Sequence, residues 1–212
     1  MVGPPGPGLT AFKERYTTGV RRGAARAMGH LGRTRLSPDA LTFAGVTICA
    51  ASAVIVYFEY KAEFLCFWLG AALFVVGSVL DILDGALARS TGKGTVFGAF
   101  LDSTTDRVGE AFMLGAIALV FSRDGNEVAL AFAFAAVVAS LLVSYTRARA
   151  EALELKGDVG IGSRAERVVV IVAGLVLAPW GVLPWAIYLL AVTAWITVIQ
   201  RVLSVRAQLR PR

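Results

Sequence analysis

The sequence predicts an all-α integral membrane protein with six transmembrane helices, preceded by an amphipathic helix at the membrane interface. Its 212 residues are 57% hydrophobic and only 17% charged, with a mean hydropathy of +0.68. This is too apolar for a soluble domain of this length. The chain also offers about six stretches of the roughly 20 apolar residues that a helix needs to cross a bilayer. The predicted spans are residues 39–60, 63–90, 95–121, 127–150, 165–182 and 184–204.

The segment before the first span has two parts. Residues 1–8 are rich in glycine and proline and are expected to be disordered. Over most of residues 9–36, apolar residues recur every three or four positions and basic residues occupy much of the remaining surface, which predicts an amphipathic juxtamembrane helix. Ser37 is the expected N-cap of the first span, because proline follows it at the first helical position. The six-helix domain is expected over 37–206, with a basic tail at 207–212.

Positive charge predicts the orientation of the spans. The connections after the first, third and fifth spans carry only Lys61 and Arg123, whereas the other side has Lys or Arg at both termini and at the second and fourth connections. By the positive-inside rule the side with the termini is cytoplasmic, and we expect a multi-pass plasma membrane protein. Topology and anionic membrane lipids account for the net charge of +6, and nucleic acid is not an expected partner.

Four aspartates lie inside the second and third predicted spans. Asp81 and Asp84 are three residues apart, so they share one face of a helix. Asp102 and Asp106 are four residues apart, with the same consequence. The short connection at 90–95 contains two glycines and predicts antiparallel neighbours, which brings all four acids to a similar depth near the cytoplasmic edge.

Carboxylates gathered at this depth need positive charge nearby. Each acid costs on the order of 2.5–3.5 kcal/mol near mid-membrane, and like charges add repulsion. Two hard divalent cations with oxygen ligands would neutralise the four acids, whereas Arg89 and Arg107 alone are too few. Ordinary salt bridges within the membrane are the alternative explanation.

The residues around these acids form a longer motif. Written out, the segment is Asp81-x2-Asp84-Gly85-x2-Ala88-Arg89-x8-Gly98-x3-Asp102-x3-Asp106. This resembles, at all eight fixed positions, the signature of the CDP-alcohol phosphotransferase family. The resemblance covers about residues 9–206 and implies a six-helix membrane enzyme that transfers a phosphatidyl group from a CDP-activated lipid to an alcohol.

The resemblance also implies a role for each residue of the motif. The four aspartates would hold two magnesium or manganese ions, and Asp106 would in addition accept the proton of the attacking hydroxyl as the catalytic base. The family's usual assembly implies a homodimer. The residues expected to contact the CDP moiety are Gly85, Arg89, Asp39, Thr42 and Thr95.

A second, basic cluster bears on the acceptor. Ser144-Tyr145-Thr146-Arg147-Ala148-Arg149-Ala150-Glu151 ends the fourth span, and further arginines lie at the start of the fifth and near the end of the sixth. Guanidinium groups bind phosphate in a bidentate manner, which favours an acceptor that already carries phosphate. Topology charge and lipid headgroup binding are the alternative explanation.

The same run resembles the branch of the family that makes phosphatidylinositol phosphate in bacteria, although lysine is common there at the position of Arg147. This implies that inositol 1-phosphate is held by Ser144, Arg147, Arg149, Arg167 and Arg201. Arg206 is an alternative to Arg201, because spacing near the end of the chain is loose.

The predicted reaction converts CDP-diacylglycerol and inositol 1-phosphate into phosphatidylinositol phosphate and CMP. The nearest alternative is a phosphatidylglycerol phosphate synthase that uses glycerol 3-phosphate, also a phosphorylated acceptor. A divalent-cation transporter would also carry acids within the membrane, and a structural membrane subunit is a third possibility. Neither of these last two requires Gly85 and Arg89 at their observed offsets from the acids.

Overall fold

The computed structural model describes residues 37–91 and 94–209, apart from the side chains of residues 89–91, and every regular element in these residues is helical. The six α-helices are α1 (Pro38–Tyr57), α2 (Glu63–Thr91), α3 (Val96–Arg123), α4 (Glu127–Glu151), α5 (Arg164–Val176) and α6 (Leu183–Gln208). Two short 3₁₀ turns lie between them, at Glu59–Lys61 and Ala178–Trp180. The predicted disordered segment at 1–8 and the predicted amphipathic helix at 9–36 lie outside the described residues, and the start of the predicted tail continues α6.

Four of these helices are long and apolar enough to cross a membrane, namely α1, the Glu63–Ala88 part of α2, α4 and α6. The third helix has the length but carries several charged residues in its first half. The fifth has 13 residues, which is about 20 Å of helix. The all-α fold and its membrane character are therefore confirmed, while the crossing of the bilayer by all six helices stays a prediction.

Side-chain caps determine where the helices that build the site begin. Ser37 is the N-cap of α1, and its Oγ accepts a hydrogen bond from the Ala40 amide at 3.2 Å. Thr95 caps α3 in the same way, with its Oγ1 accepting from the Gly98 amide at 2.8 Å. At the start of α5 the Ser163 amide donates to Glu166 Oε2 at 2.7 Å, as in a capping box.

Small residues allow α1 to pack closely against both α2 and α3. A Cβ added at Gly77 of α2 would lie only 2.8 Å from the carbonyl oxygen of Gly45 in α1. On the other side of α1, a Cβ added at Gly109 of α3 would lie 3.2 Å from Cys49 Cβ. The first helix packs against α2 and against α3, whereas α2 and α3, which were expected to be direct neighbours, make few contacts with each other.

The apolar core lies further along α3 than the acids. Met113, Leu114 and Ile117 of α3 are fully buried against Phe74 of α2 and Ile171 of α5. Large apolar side chains elsewhere face outward, and a surface of this kind is expected where lipid is the solvent. The packed core therefore holds α2, α3 and α5 together below the end of the bundle that carries the polar groups.

Candidate active site

Three of the four predicted aspartates converge. Asp81 of α2 and Asp102 and Asp106 of α3 each offer one carboxylate oxygen, and these oxygens all lie within 4.8 Å of one another. Asp84 lies one helical turn from Asp81, and its side chain is 2% exposed. The helical spacing of the acids and the short connection between their helices thus give the predicted cluster.

Hydrogen bonds leave part of this cluster unsatisfied. Thr42 of α1 donates its hydroxyl to Asp84 Oδ2. The buried Oδ1 atoms of Asp84 and Asp106 have no hydrogen-bond partner among the described residues. Buried carboxylate oxygens that accept no hydrogen bond are suitable ligands for hard divalent cations, so the residues present fit a magnesium or manganese site.

Arg164 is a member of this site that the sequence analysis did not select. Its guanidinium forms ion pairs with Asp81 and, at 2.6 Å, with Oδ1 of Asp106. In the second contact Asp106 Oδ1 accepts no hydrogen bond, so the contact is an ion pair only. One feature of the sequence could have identified it. Arg164 directly follows Ser163, the N-cap of α5, so it lies at the start of that helix, at the end of the bundle that carries the acids.

A first cavity, here called the α1–α3 cavity, has a volume of about 230 Å³. Its lining residues are Pro38, Asp39, Thr42, Asp84, Gly85, Ala88, Gly94, Thr95, Gly98, Ala99 and Asp102. Four of the five predicted CDP contacts are therefore together, and the side chain of the fifth, Arg89, lies outside the part of the chain that the structure describes. A Cβ at Gly98 would lie 3.2 Å from Asp39 Oδ1, so glycine keeps this wall open.

A second cavity, here called the arginine cavity, has a volume of about 510 Å³. Its lining residues are Asp102, Ser103, Asp106, Arg107, Glu110, Val143, Ser144, Arg147, Ala148, Glu151, Asp158, Gly160, Ser163, Arg164, Arg167 and Arg201. Of the predicted acceptor residues, Arg149 is exposed and does not line this cavity, so its role stays a prediction. Arg206 is also exposed and outside the cavity, which favours Arg201 over that alternative.

Two arginines of this cavity are buried and fixed by hydrogen bonds. Arg167 forms a bidentate pair with Glu110, with Nε to Oε1 at 2.7 Å and Nη2 to Oε2 at 2.8 Å. Arg201 donates from Nε to the Val159 carbonyl at 2.9 Å and from Nη1 to the Val143 carbonyl. Sequence reasoning missed Glu110, although it lies four residues after Asp106 and so extends the acidic face of α3.

The two cavities meet at the acids. Asp102 lines both of them, with Asp84 on the side of the α1–α3 cavity and Asp106 on the side of the arginine cavity. The carboxylates therefore form a wall between a pocket whose described charged residues are all aspartates and a pocket rich in arginine. Two ligands could approach the acids from opposite sides and meet there.

Comparison with known proteins agrees with this arrangement. The sequence model described as CDP-alcohol phosphatidyltransferase matches residues 35–205. A phosphatidylinositol phosphate synthase of Mycolicibacterium smegmatis is 37% identical over 182 residues, which cover 82% of this chain and 79% of that protein. An archaetidylinositol phosphate synthase of Methanothermobacter thermautotrophicus is 39% identical over 183 residues, which cover 84% of this chain and 87% of that protein.

Solved structures show the same fold. The crystal structure of Mycobacterium tuberculosis phosphatidylinositol phosphate synthase with CDP-DAG bound has a TM-score of 0.78 and 31% identity, covering 87% of this chain and 94% of that chain. A second crystal structure of that synthase, in complex with manganese and citrate, has a TM-score of 0.74 and 32% identity, covering 86% of this chain and 87% of that chain. The four-aspartate motif, the helical fold and these similarities together show that the chain belongs to the CDP-alcohol phosphatidyltransferase family.

Proposed function

We propose that this protein transfers the phosphatidyl group of CDP-diacylglycerol to inositol 1-phosphate, giving phosphatidylinositol phosphate and CMP. The observation that carries the proposal is the meeting of two chemically different cavities at one row of aspartates. The similarity to synthases named for phosphatidylinositol phosphate, and to one with CDP-DAG bound, supports this choice of substrates.

The α1–α3 cavity is the proposed site of the CDP moiety. Asp39, Thr42 and Thr95 give it hydrogen-bonding groups, and Gly85 and Gly98 leave room for the nucleotide to approach the helix backbones. Arg89, on the last turns of α2, would pair with the phosphates. The acyl chains would then remain in the bilayer beside the helices, which suits a site at the edge of the membrane.

The four aspartates would hold two magnesium or manganese ions, and the structural neighbour in complex with manganese supports this choice of metal. When bound, such ions supply stabilisation of the charge that develops on the pyrophosphate oxygens. The side chains contribute the binding geometry. Thr42 of α1 orients Asp84, and Arg164 of α5 contacts Asp81 and Asp106.

Asp106 is the proposed base because it lines the arginine cavity and also belongs to the acid cluster. Its carboxylate would accept the proton of the acceptor hydroxyl as that oxygen bonds to the phosphatidyl phosphorus. The bond from this phosphorus to the CMP oxygen breaks in the same displacement, so CMP leaves with the bonding electrons. No covalent enzyme intermediate is needed, because both substrates reach the acids at once from separate cavities.

The arginine cavity is the proposed acceptor site. Ser144, Arg147, Arg167 and Arg201 line it together, and a phosphate group is the ligand that best matches several converging guanidinium groups. A free polyol without phosphate would not use this positive charge. The cavity is therefore assigned to a small phosphorylated alcohol.

The finer topology belongs to the same proposal. All six helices would cross the plasma membrane, with the site on the cytoplasmic side and the amphipathic segment at 9–36 lying along that surface. The shorter α5 would be sheltered from lipid in part by α2 and α6, which pack against it. A homodimer is the proposed assembly.

An assay with a panel of three acceptor alcohols, here called the acceptor panel, tests the proposal. Purified protein with CDP-diacylglycerol and Mg²⁺ or Mn²⁺ is given inositol 1-phosphate, glycerol 3-phosphate or unphosphorylated inositol, and CMP release is measured. We expect turnover with inositol 1-phosphate well above that with the other two. Turnover with glycerol 3-phosphate alone would overturn the choice of acceptor and leave the phosphatidylglycerol phosphate synthase alternative.

A further inference from the structure

A buried polar network borders the arginine cavity and is not explained by the acid cluster. Arg167 is 4% exposed and its partner Glu110 is 5% exposed. Ser140 of α4 donates its hydroxyl to Glu110 Oε1 at 2.9 Å, and Arg167 Nη1 donates to the Gly162 carbonyl at 2.9 Å. The network thus joins α3, α4 and α5 at one point.

The hydrogen bonds fix Arg167 without using all its donors. A guanidinium has five N–H groups. Described residues accept from three of those on Arg167, one on each of its nitrogens. This leaves one N–H group on each Nη nitrogen for a ligand, and Arg167 lines the arginine cavity. Two N–H groups on a rigidly held guanidinium can each donate to an oxygen of a phosphate.

The position of Glu110 on α3 places this donor pair relative to the acids. Glu110 follows Asp106 by four residues on the same helix face, a rise of about 6 Å. A small phosphorylated alcohol can span that distance, with its phosphate at Arg167 and its attacking hydroxyl at Asp106. Because Glu110 and Asp106 lie on one helix, the bidentate pair of Glu110 with Arg167 relates the position of the phosphate donor to that of the base.

We propose that Glu110 is a positioning residue for the acceptor: it orients Arg167 so that the two remaining N–H groups bind the acceptor phosphate, and Ser140 acts through Glu110. This inference rests on the proposed function, because it requires an acceptor that carries a phosphate group. A buried ion pair adds little net stability over apolar residues, so its value here lies in preorganising the phosphate donor.

Ser140 gives a second test of the same network, because it contacts Glu110 but does not line the arginine cavity. The matched control is Ser52, another buried serine, whose hydroxyl donates to the Gly70 carbonyl at 2.6 Å between α1 and α2. KM and kcat are measured for both substrates in Ser140→Ala, Ser52→Ala and Glu110→Gln. Glutamine keeps the length of the side chain but turns one acceptor oxygen into an NH₂ donor that opposes Arg167.

We expect Glu110→Gln to raise KM for the phosphorylated acceptor by about tenfold or more, the change that one lost hydrogen bond to a charged group produces. Ser140→Ala should raise the same KM by about threefold to tenfold, because Glu110 keeps its contacts to Arg167. In both variants KM for CDP-diacylglycerol should stay within about twofold of wild type. Ser52→Ala should change neither KM.

The acceptor KM of Glu110→Gln decides the inference. An unchanged value, or an equal rise in KM for both substrates, would overturn it and leave Glu110 with a purely structural role. If Glu110→Gln does not fold, the KM values of Ser140→Ala decide instead. An unchanged acceptor KM, or an equal rise in KM for both substrates, would then overturn the inference.

The acceptor panel with the wild type distinguishes failure of the inference about Glu110 from failure of the proposed function. If the wild type uses glycerol 3-phosphate instead of inositol 1-phosphate, the proposed acceptor is wrong, and the variants are measured with glycerol 3-phosphate. Wild-type turnover of unphosphorylated alcohols alone would overturn both ideas.

Discussion

The substitution Thr42→Val tests whether α1 contributes to the acid cluster. Thr42 is buried, and its hydroxyl donates to Asp84 Oδ2. The other oxygen of Asp84 has no hydrogen-bond partner in the described part of the chain. Valine has nearly the shape of threonine without the hydroxyl, so the substitution leaves a buried carboxylate with neither oxygen held by a side-chain donor.

The magnitude follows from the loss of one hydrogen bond to a charged group, about 1.5–3 kcal/mol. Each 1.4 kcal/mol is about a factor of ten in affinity, so the loss corresponds to about 10- to 100-fold. Asp84 must adopt one orientation to hold a cation and to line the α1–α3 cavity. We therefore expect this factor in both the Mn²⁺ affinity and the KM for CDP-diacylglycerol, with little change in the KM for the acceptor.

Mn²⁺ binding is measured from the electron paramagnetic resonance signal of the free ion, and KM from CMP release. Thr42→Ser keeps the hydroxyl and should restore both values to near wild type. Thr47→Val is the matched control on the same helix, because Thr47 is exposed and its hydroxyl donates at 2.7 Å to the Phe43 carbonyl of its own helix. Wild-type Mn²⁺ affinity together with wild-type CDP-diacylglycerol KM in Thr42→Val would refute the reasoning.

Four further results are expected. Asp106→Asn should lower turnover by about 10²- to 10⁴-fold while CDP-diacylglycerol binding, followed by calorimetry, persists; retained turnover would remove the assignment of the base. In steady-state assays, Arg201→Ala should raise the acceptor KM by about tenfold, whereas Arg206→Ala, at an exposed residue outside the cavity, should not. Equal effects of the two substitutions would contradict the placement of Arg201. Gly77→Ala would put a Cβ 2.5 Å from Cys49 Sγ, so it should destabilise the protein by about 1–3 kcal/mol; an unchanged melting temperature in detergent would show that α1 and α2 tolerate the methyl. EDTA should stop CMP release and added Mg²⁺ or Mn²⁺ should restore it, whereas activity that survives chelation would exclude the metal requirement.

The convergence of the acids was predictable because it depends on local geometry. Asp81 shares a helix face with Asp84, as Asp102 does with Asp106, and a short connection brings their helices to the same end of the bundle. Most helix bounds were predictable for a similar reason, since apolar runs and the Ser37 cap mark them directly. The fifth span, expected over 165–182, is an exception, because α5 ends at Val176 and a 3₁₀ turn follows it.

The partners of the acids were not predictable in the same way, because they come from helices distant in sequence. Arg164 reaches Asp81 across 83 positions of the chain, and Arg167 reaches Glu110 across 57. Helical periodicity states which residues share a face, but not which face of another helix lies opposite. For the same reason the prediction did not include α1 packing against both α2 and α3 through glycine contacts.

The acceptor arginines were predictable only in part. Both Arg147 and Arg149 lie near the end of α4, and their charge and spacing alone do not separate them. Both side chains are exposed, but the rotation of α4 in the bundle places Arg147 at the arginine cavity and Arg149 outside it. Tertiary packing therefore decides which of two similar residues can face a ligand.

Anomalous diffraction from crystals grown with Mn²⁺ tests the central claim most directly. We expect two anomalous peaks per chain, each within about 2.5 Å of carboxylate oxygens of the four aspartates on α2 and α3. Manganese bound only elsewhere, or the aspartates paired solely with arginine at saturating Mn²⁺, would contradict the proposed metal-dependent transfer.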